Sequence, residues 1–354
     1  MNFKNPNPNP KTQLALAVSL VLGLAGLASA GEAPARAGRA APATQAPAAP
    51  AAKLDLMPVQ GNLYMVTGLD VNVAVQIGDE AALFVDTPPP ALLEQVRELV
   101  MQKTRRPIRY VINTSAIADH VSGDEALQLA GTSAAQLANM KKMGIAAGGL
   151  AGFTADGVQI LAHENVLNRV TDRKQPAIPG ATITAEYYLP TKDFFMNGES
   201  IVLTHTPNAL TDGDSLVYFR RSDVLATGDL FTPGRFPLID LGQGGSINGL
   251  ISGVNKALEI TVPAAFQERG TYVIPGHGRL CDEADLAEFR EMLTVVRDRV
   301  QAMINDKKTL QQVLAARPAL DYENTYGGKN GGPTAQAFVE TVYKSLTAPP
   351  KGAN

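Results

Sequence analysis

Imidazole chemistry in this chain has four candidates, His120, His163, His205 and His277, and thiol chemistry has one, Cys281. A single cysteine excludes an internal disulfide and a cysteine-built zinc finger. The stretch NTSAIADHVSG (113–123) sets Asp119 beside His120, TDGD holds Asp212 and Asp214, LATGD ends in Asp229, and VIPGHG carries His277. Imidazole nitrogens and carboxylate oxygens from separate loops are a suitable donor set for a divalent transition metal. Each also has a plainer reading. Asp119 and His120 can be a helix cap and its neighbour. TDGD can be a hairpin turn, Gly228-Asp229 another turn, and the glycines of PGHG can serve the backbone alone. His163, in LAHENV, reads as a core histidine on a buried strand.

Something must position these groups. NLYMVTG (62–68), VNVAVQIG (71–78) and AALFVDT (81–87) are short β-rich runs separated by turn signals, a meander. After TPPP, the stripe Leu92, Leu93, Val96, Leu99, Val100 predicts a helix with proline in its first turn. IRYVINT (108–114) is a strand feeding straight into the Asp-His stretch, GVQILAHENV (157–166) another strand, and residues 200–231 hold at least three more. A helix near 246–262, the strand TYVIPG (271–276), a long helix from about Asp282 to Met303 and short helices after Thr309 and around 333–346 complete the chain. Asp119, His120, Asp229 and His277 all follow strands, in loops on a rigid scaffold. Strands interleaved with helices predict mixed sheets covered by helices in one domain. The segments 134–155 and 165–198 carry no readable motif.

The chain has 354 residues, 45% of them hydrophobic, enough for a large core. Its formal net charge is -3 and its Lys and Arg are not clustered, so a nucleic-acid partner is not expected. A small-molecule substrate or ligand is. Lys4 and Lys11 precede LALAVSLVLGLAGLASA, which ends in Ala28-Ser29-Ala30. That layout predicts a signal peptide over 1–30 and export to the periplasm or medium, with membrane contact only through this segment if it stays uncleaved. Residues 31–53 read as an Ala/Pro-rich linker that cannot bury enough surface to fold, and 54–348 as the domain.

From about Gly61 to His277 the chain resembles the metallo-β-lactamase-fold hydrolases. The matching segments, in order, are GNLYMVTG, ALFVDT, VINTSAIADHVSGDEAL, AHENV, PNALTDGDSLVYF, VLATGDLF and VIPGHGR. The resemblance implies an α/β chain of α+β type, a four-layer αββα sandwich. The family's mark is His-x-His-x-Asp-His after a strand, then a distant His, a metal-bridging Asp and a final His. Here Ser115 and Ile117 stand at the first two histidines and Leu210 at the distant one. Asp119, His120, Asp229 and His277 match the rest. By that resemblance the private ligands of the first metal site are gone and those of the second remain, with Asp119 also the candidate catalytic residue. The implied cofactor is one divalent ion, zinc first and iron second, or none. His205, five residues before Leu210, is a poor replacement ligand, since an extended strand carries it over a dozen ångströms away at ~3.3 Å per residue. Cys281 reads as a buried filler.

Three functions follow. One is a one-metal hydrolase of ester, lactone or lactam-type acyl bonds. Another is a non-catalytic pseudoenzyme, a binding or scaffold protein using the old cleft. The third is a metal protein whose ion does redox or sensing work.

Overall fold

The structure, a computed structural model, describes residues 53–130, 138–139, 142–143, 157–171, 185–328 and 332–348. The expected signal peptide and all but Lys53 of the linker lie outside the described residues, as does most of the segment 134–155.

Two mixed sheets face each other. The first contains β1 (Asp55–Gln60), β2 (Leu63–Thr67), β3 (Val73–Ile77), β4 (Ala82–Val85), β5 (Ile108–Ile112), β6 (Gln159–His163) and β7 (Ala185–Tyr187), in that spatial order. It is antiparallel from β1 to β4 and parallel from β4 to β7. The second runs β12 (Tyr272–Pro275), β11 (Val224–Gly228), β10 (Ser215–Phe219), β9 (Glu199–His205), β8 (Thr191–Met196), with only β11 and β12 parallel. Their inner faces interdigitate through Leu83, Val85 and Ile112 on one side and Leu203, Val217 and Ala226 on the other.

Helices cover both outer faces. Over the first sheet lie α1 (Pro90–Lys103), through Leu93, Val96 and Val100, and α3 (Asp124–Leu129), through Leu127. Between them in the chain comes the single turn α2 (Ala118–Val121). α4 (Glu164–Thr171) follows β6 directly. Over the second sheet lie α5 (Ile247–Ile260), α6 (Glu283–Asn305), α7 (Leu310–Ala316), α8 (Glu323–Tyr326) and α9 (Ala335–Thr347). Leu250, Phe289, Leu293 and Phe338 seal that layer against Leu216 and Val273. Ser246 caps α5, and an Asp282–Asp285 capping box starts α6. The architecture is the αββα sandwich expected.

Two boundaries differ from the sequence reading. The strand expected over 157–166 stops at His163, because the His163 Nδ1 accepts the Asn165 N–H at 3.2 Å and caps α4. That satisfies a donor the helix start leaves free. The segment 165–198, without a motif, supplies α4, β7 and β8, and β1 was not anticipated at all.

Candidate metal centre

Three strand ends converge on one rim. β5 leads through Thr114 into α2, which carries Asp119 and His120; Asp229 follows β11; and His277 follows β12 after Gly276. One donor atom from each of Asp119, His120, Asp229 and His277 lies within 4.8 Å of every other. Glycine makes the approach possible. A Cβ on Gly276 would fall 2.2 Å from Asp229 Oδ1, and one on Gly228, at φ +51°, would fall 2.3 Å from Thr114 Oγ1. Asn72 ties the His277 loop down from the first sheet, its side chain donating to Pro275 O at 2.9 Å and Gly278 O at 3.0 Å.

Both imidazoles are anchored from behind. His120 Nδ1 lies 2.7 Å from Asp86 Oδ2, and His277 Nδ1 lies 2.8 Å from the backbone carbonyl of Asp70. Donating at Nδ1 fixes the tautomer and aims the Nε2 lone pair inward, the arrangement that metal-ligating histidines keep. Asp86 is itself held, accepting from Thr114 N at 2.8 Å and from Thr114 Oγ1 at 2.8 Å.

In front, His120 Nε2 and His277 Nε2 each lie 3.3 Å from Asp229 Oδ1. His277 Nε2 is also 3.3 Å from Asp119 Oδ2, and His120 Nε2 is 4.0 Å from Asp119 Oδ1. His120 Nε2 and Asp229 Oδ1 are nevertheless buried with no hydrogen bond. Tetrahedral donors at ~2.0–2.2 Å from one ion sit ~3.3–3.6 Å apart, so the spacing fits a single Zn²⁺-like ion with modest closure. Two buried electron-pair donors without a hydrogen bond, facing one point, are what such an ion would satisfy. The residues present therefore fit one divalent ion; nothing in the donor set separates zinc from iron.

The charges reinforce one another. Burial favours a neutral His120, but Asp86 and then Asp229 overcome it and hold its pKa well above the ordinary value. His277 is also raised, burial being outweighed by Asp119 and Asp229. For Asp229, burial is outweighed by His120 and His277, and its pKa is lowered; Asp119 is lowered too, against burial, by His277 and His120.

The cluster opens into a cavity of about 760 Å³. Its wall includes Ile117 and Leu210, two of the three positions where the resemblance puts a first-site ligand. Ser115, the third, is buried, and its Oγ accepts the Ile117 N–H at 3.2 Å, which shapes the loop. Aliphatic side chains there can neither ligate nor deprotonate. His205 does not join the cluster. Its Nε2 is 2.8 Å from Asp212 O, and its ring stacks on His163 at 3.6 Å. TDGD is a turn: Asp214 accepts from Thr211 N at 2.6 Å and Thr211 Oγ1 at 2.9 Å, while Asp212 pairs with Arg169. Cys281 is buried, with its thiol pushed up to about 12 by burial.

Sequence reasoning missed Asp86 and Asp70. Asp86 ends the segment ALFVD, and its left-handed φ of 62° was the only local signal, invisible without coordinates. Asp70 acts through its carbonyl, which no residue type announces.

No family model and no curated protein matches the sequence. Solved structures do. The chain is similar to a stereoselective inverting sec-alkylsulfatase, Pisa1, from Pseudomonas sp., at 17% identity over 85% of this chain and 51% of that one, with a TM-score of 0.58. A double mutant of the same sulfatase gives 16% and 0.59 over the same shares. A metallo-β-lactamase from Pontibacter korlensis gives 13% identity over 68% of this chain and 99% of that one, at 0.48. The chain thus spans about half the length of the sulfatase. At such identities the likeness is one of fold alone, and the sulfatase, at a TM-score of 0.58, is the match that carries it.

Proposed function

We propose that this protein is a one-metal hydrolase whose ion sits among Asp119, His120, Asp229 and His277. The observation that carries the reading is the pair of imidazoles anchored at Nδ1 with both Nε2 atoms facing two carboxylates at the floor of a ligand-sized cavity. A bound divalent ion supplies a Lewis acid that lowers the pKa of water toward ~7. The chain does the rest. Asp86 and the Asp70 carbonyl orient the imidazoles. Asp119, the cluster member with the most exposed side chain, presents a carboxylate to the cavity, placed to orient an attacking water and take up its proton. Ile117 and Leu210 keep water from the opposite wall. The substrates proposed are small molecules with an ester, lactone or lactam-type acyl bond, and the similar sulfatase adds a sulfate ester to the panel.

The test is metal content per chain after purification without chelator, beside His277→Ala, followed by hydrolysis assays on that panel. About one ion per wild-type chain, absent from the variant, with hydrolysis abolished by Asp119→Ala, supports the reading. No ion and no uptake on titration sinks it. A second reading, a non-catalytic binding protein, is favoured by the apolar Ile117 and Leu210 wall and predicts bound ligand without turnover. Export by residues 1–30 is part of the proposal and is tested by the N-terminus of protein recovered outside the cytoplasm. Among the described residues no helix is long and apolar enough to cross a membrane.

A further inference from the structure

Arg235 lines the same cavity and has no part in the metal cluster. Its side chain is 17% exposed, and among the described residues it makes no hydrogen bond and one ion pair, with Asp70 Oδ1 at 3.9 Å. That partner is 90% exposed, so water and salt screen it. A guanidinium carries five N–H donors in a fixed fork, and here they are left largely unspent in a half-enclosed space. The location is informative too. Asp70 touches both, its carbonyl holding His277 and its carboxylate lying 3.9 Å from the guanidinium.

The wall around it is apolar. Ile117, Leu210 and Phe236 face the cavity, and Leu238, 68% exposed, projects at its mouth. Together with the aliphatic wall it extends the apolar surface open to a ligand in the cavity. The other acidic wall residue away from the cluster and Asp70 is Asp240, whose Oδ1 is already occupied by the Gln243 N–H at 2.9 Å. Asp119 and Asp229 face the imidazoles and the ion site.

We propose that the cavity selects an amphiphilic anion, its aliphatic body against Ile117, Leu210 and Leu238 and a carboxylate or sulfate oxyanion on Arg235. The inference rests on that cavity being the substrate site, and it leaves the metal cluster free for the bond to be cleaved. Two oxygens of a carboxylate or a sulfate meet the guanidinium fork in two charge-assisted hydrogen bonds, which a neutral analogue cannot form. Losing a charged hydrogen bond of this kind weakens binding about tenfold or more.

Calorimetric titration of the full metal-loaded chain with octanoate, octyl sulfate and octanol tests it, using wild type, Arg235→Gln and Arg235→Lys, beside the wild type stripped of metal by a chelator. The expected result is that an anion binds about tenfold or more tighter than octanol. Arg235→Gln removes that preference without altering octanol, Arg235→Lys keeps part of it, and stripping the metal with a chelator leaves it intact. The octanoate and octyl sulfate arms show which oxyanion is preferred. Equal affinity for octanol and both anions overturns the proposal. So does anion binding that survives Arg235→Gln but disappears when the metal is stripped, since the anion would then be held at the metal cluster. Metal content measured on the same samples reports separately on the hydrolase reading.

Discussion

Replacing Asp86 by Asn tests whether the site is built from behind. The Asp86 carboxylate accepts from His120 Nδ1 at 2.7 Å, Thr114 N at 2.8 Å and Thr114 Oγ1 at 2.8 Å, all buried. Asn keeps the shape and tolerates the left-handed φ of 62°, so backbone strain does not enter. It offers one acceptor oxygen in place of two, and its NH₂ must face at least one donor. If that donor is His120, the imidazole gains by moving its proton to Nε2, the atom the ion needs. Outer-shell losses of this kind cost about 10- to 100-fold in metal affinity. If the donor is Thr114, a buried N–H is left unpaired and the metal-free fold loses about 1–3 kcal/mol. The assay is zinc titration against a chromophoric chelator, with urea unfolding of the metal-free protein alongside. Asp70→Asn is the control, because His277 uses the Asp70 carbonyl and that survives the change. Wild-type metal affinity together with wild-type stability in Asp86→Asn would refute the reasoning.

Other consequences follow from the same geometry. Asp124 is fully buried, accepting from Thr87 Oγ1 and Asn113 Nδ2, and burial raises its pKa from 3.8 to about 8. The folded chain then keeps a proton that the unfolded chain sheds near pH 4. This contribution to stability is full below about pH 4, declines by at most about 1.4 kcal/mol per pH unit and is gone above about pH 8. Asp124→Asn should flatten the fall in urea stability between pH 5 and 8; an unchanged slope would show that Asp124 is ionised in the fold. Because His120 and His277 are both raised above their ordinary value, loading an ion near pH 6.5 should expel at least about one proton per ion. Calorimetry in two buffers of different ionisation enthalpy measures this, and no release would contradict protonated imidazoles in the metal-free cluster. Gly276→Ala sets a methyl 2.2 Å from Asp229 Oδ1 and 2.7 Å from backbone, so metal affinity should fall about tenfold or more; retained affinity would mean the loop yields freely.

Much of the fold was legible because the periodicities were clean. β2 to β4 alternate with turn signals, and α1 shows its stripe. The four clustered donors were legible as residues that follow strands. Their supports were not. Asp86 lies 34 positions from His120, and Asp70 lies 207 positions from His277. Such pairings are set by how two sheets pack, which no local pattern encodes. His163 reads as strand by its apolar neighbours, but its side chain caps α4, a preference that the run LAH does not carry. Arg235 gave no signal either, since a lone arginine in a loop looks the same whether it faces water or a cavity.

The four clustered donors and the aliphatic positions beside them differ in what surrounds them. Asp119, His120, Asp229 and His277 are fixed by the ends of β5, β11 and β12, by Asp86 after β4 and by the carbonyl before β3, so any one lost donor strands buried polar partners. Leu210, by contrast, is 1% exposed and belongs to the same apolar cluster as Phe236, Ile239 and Ile247. A fully buried leucine is worth about 1.5–3 kcal/mol to the fold, while an imidazole in its place would need a metal or a hydrogen-bond partner to offset its desolvation. Once that position is aliphatic, packing favours keeping it so. The cavity that it lines also has Ile117 and Arg235 in its wall. Under the proposed function, one ion beside an apolar wall with a cation in the same cavity is a self-consistent arrangement, in which the aliphatic positions would serve ligand binding and the four clustered donors the metal.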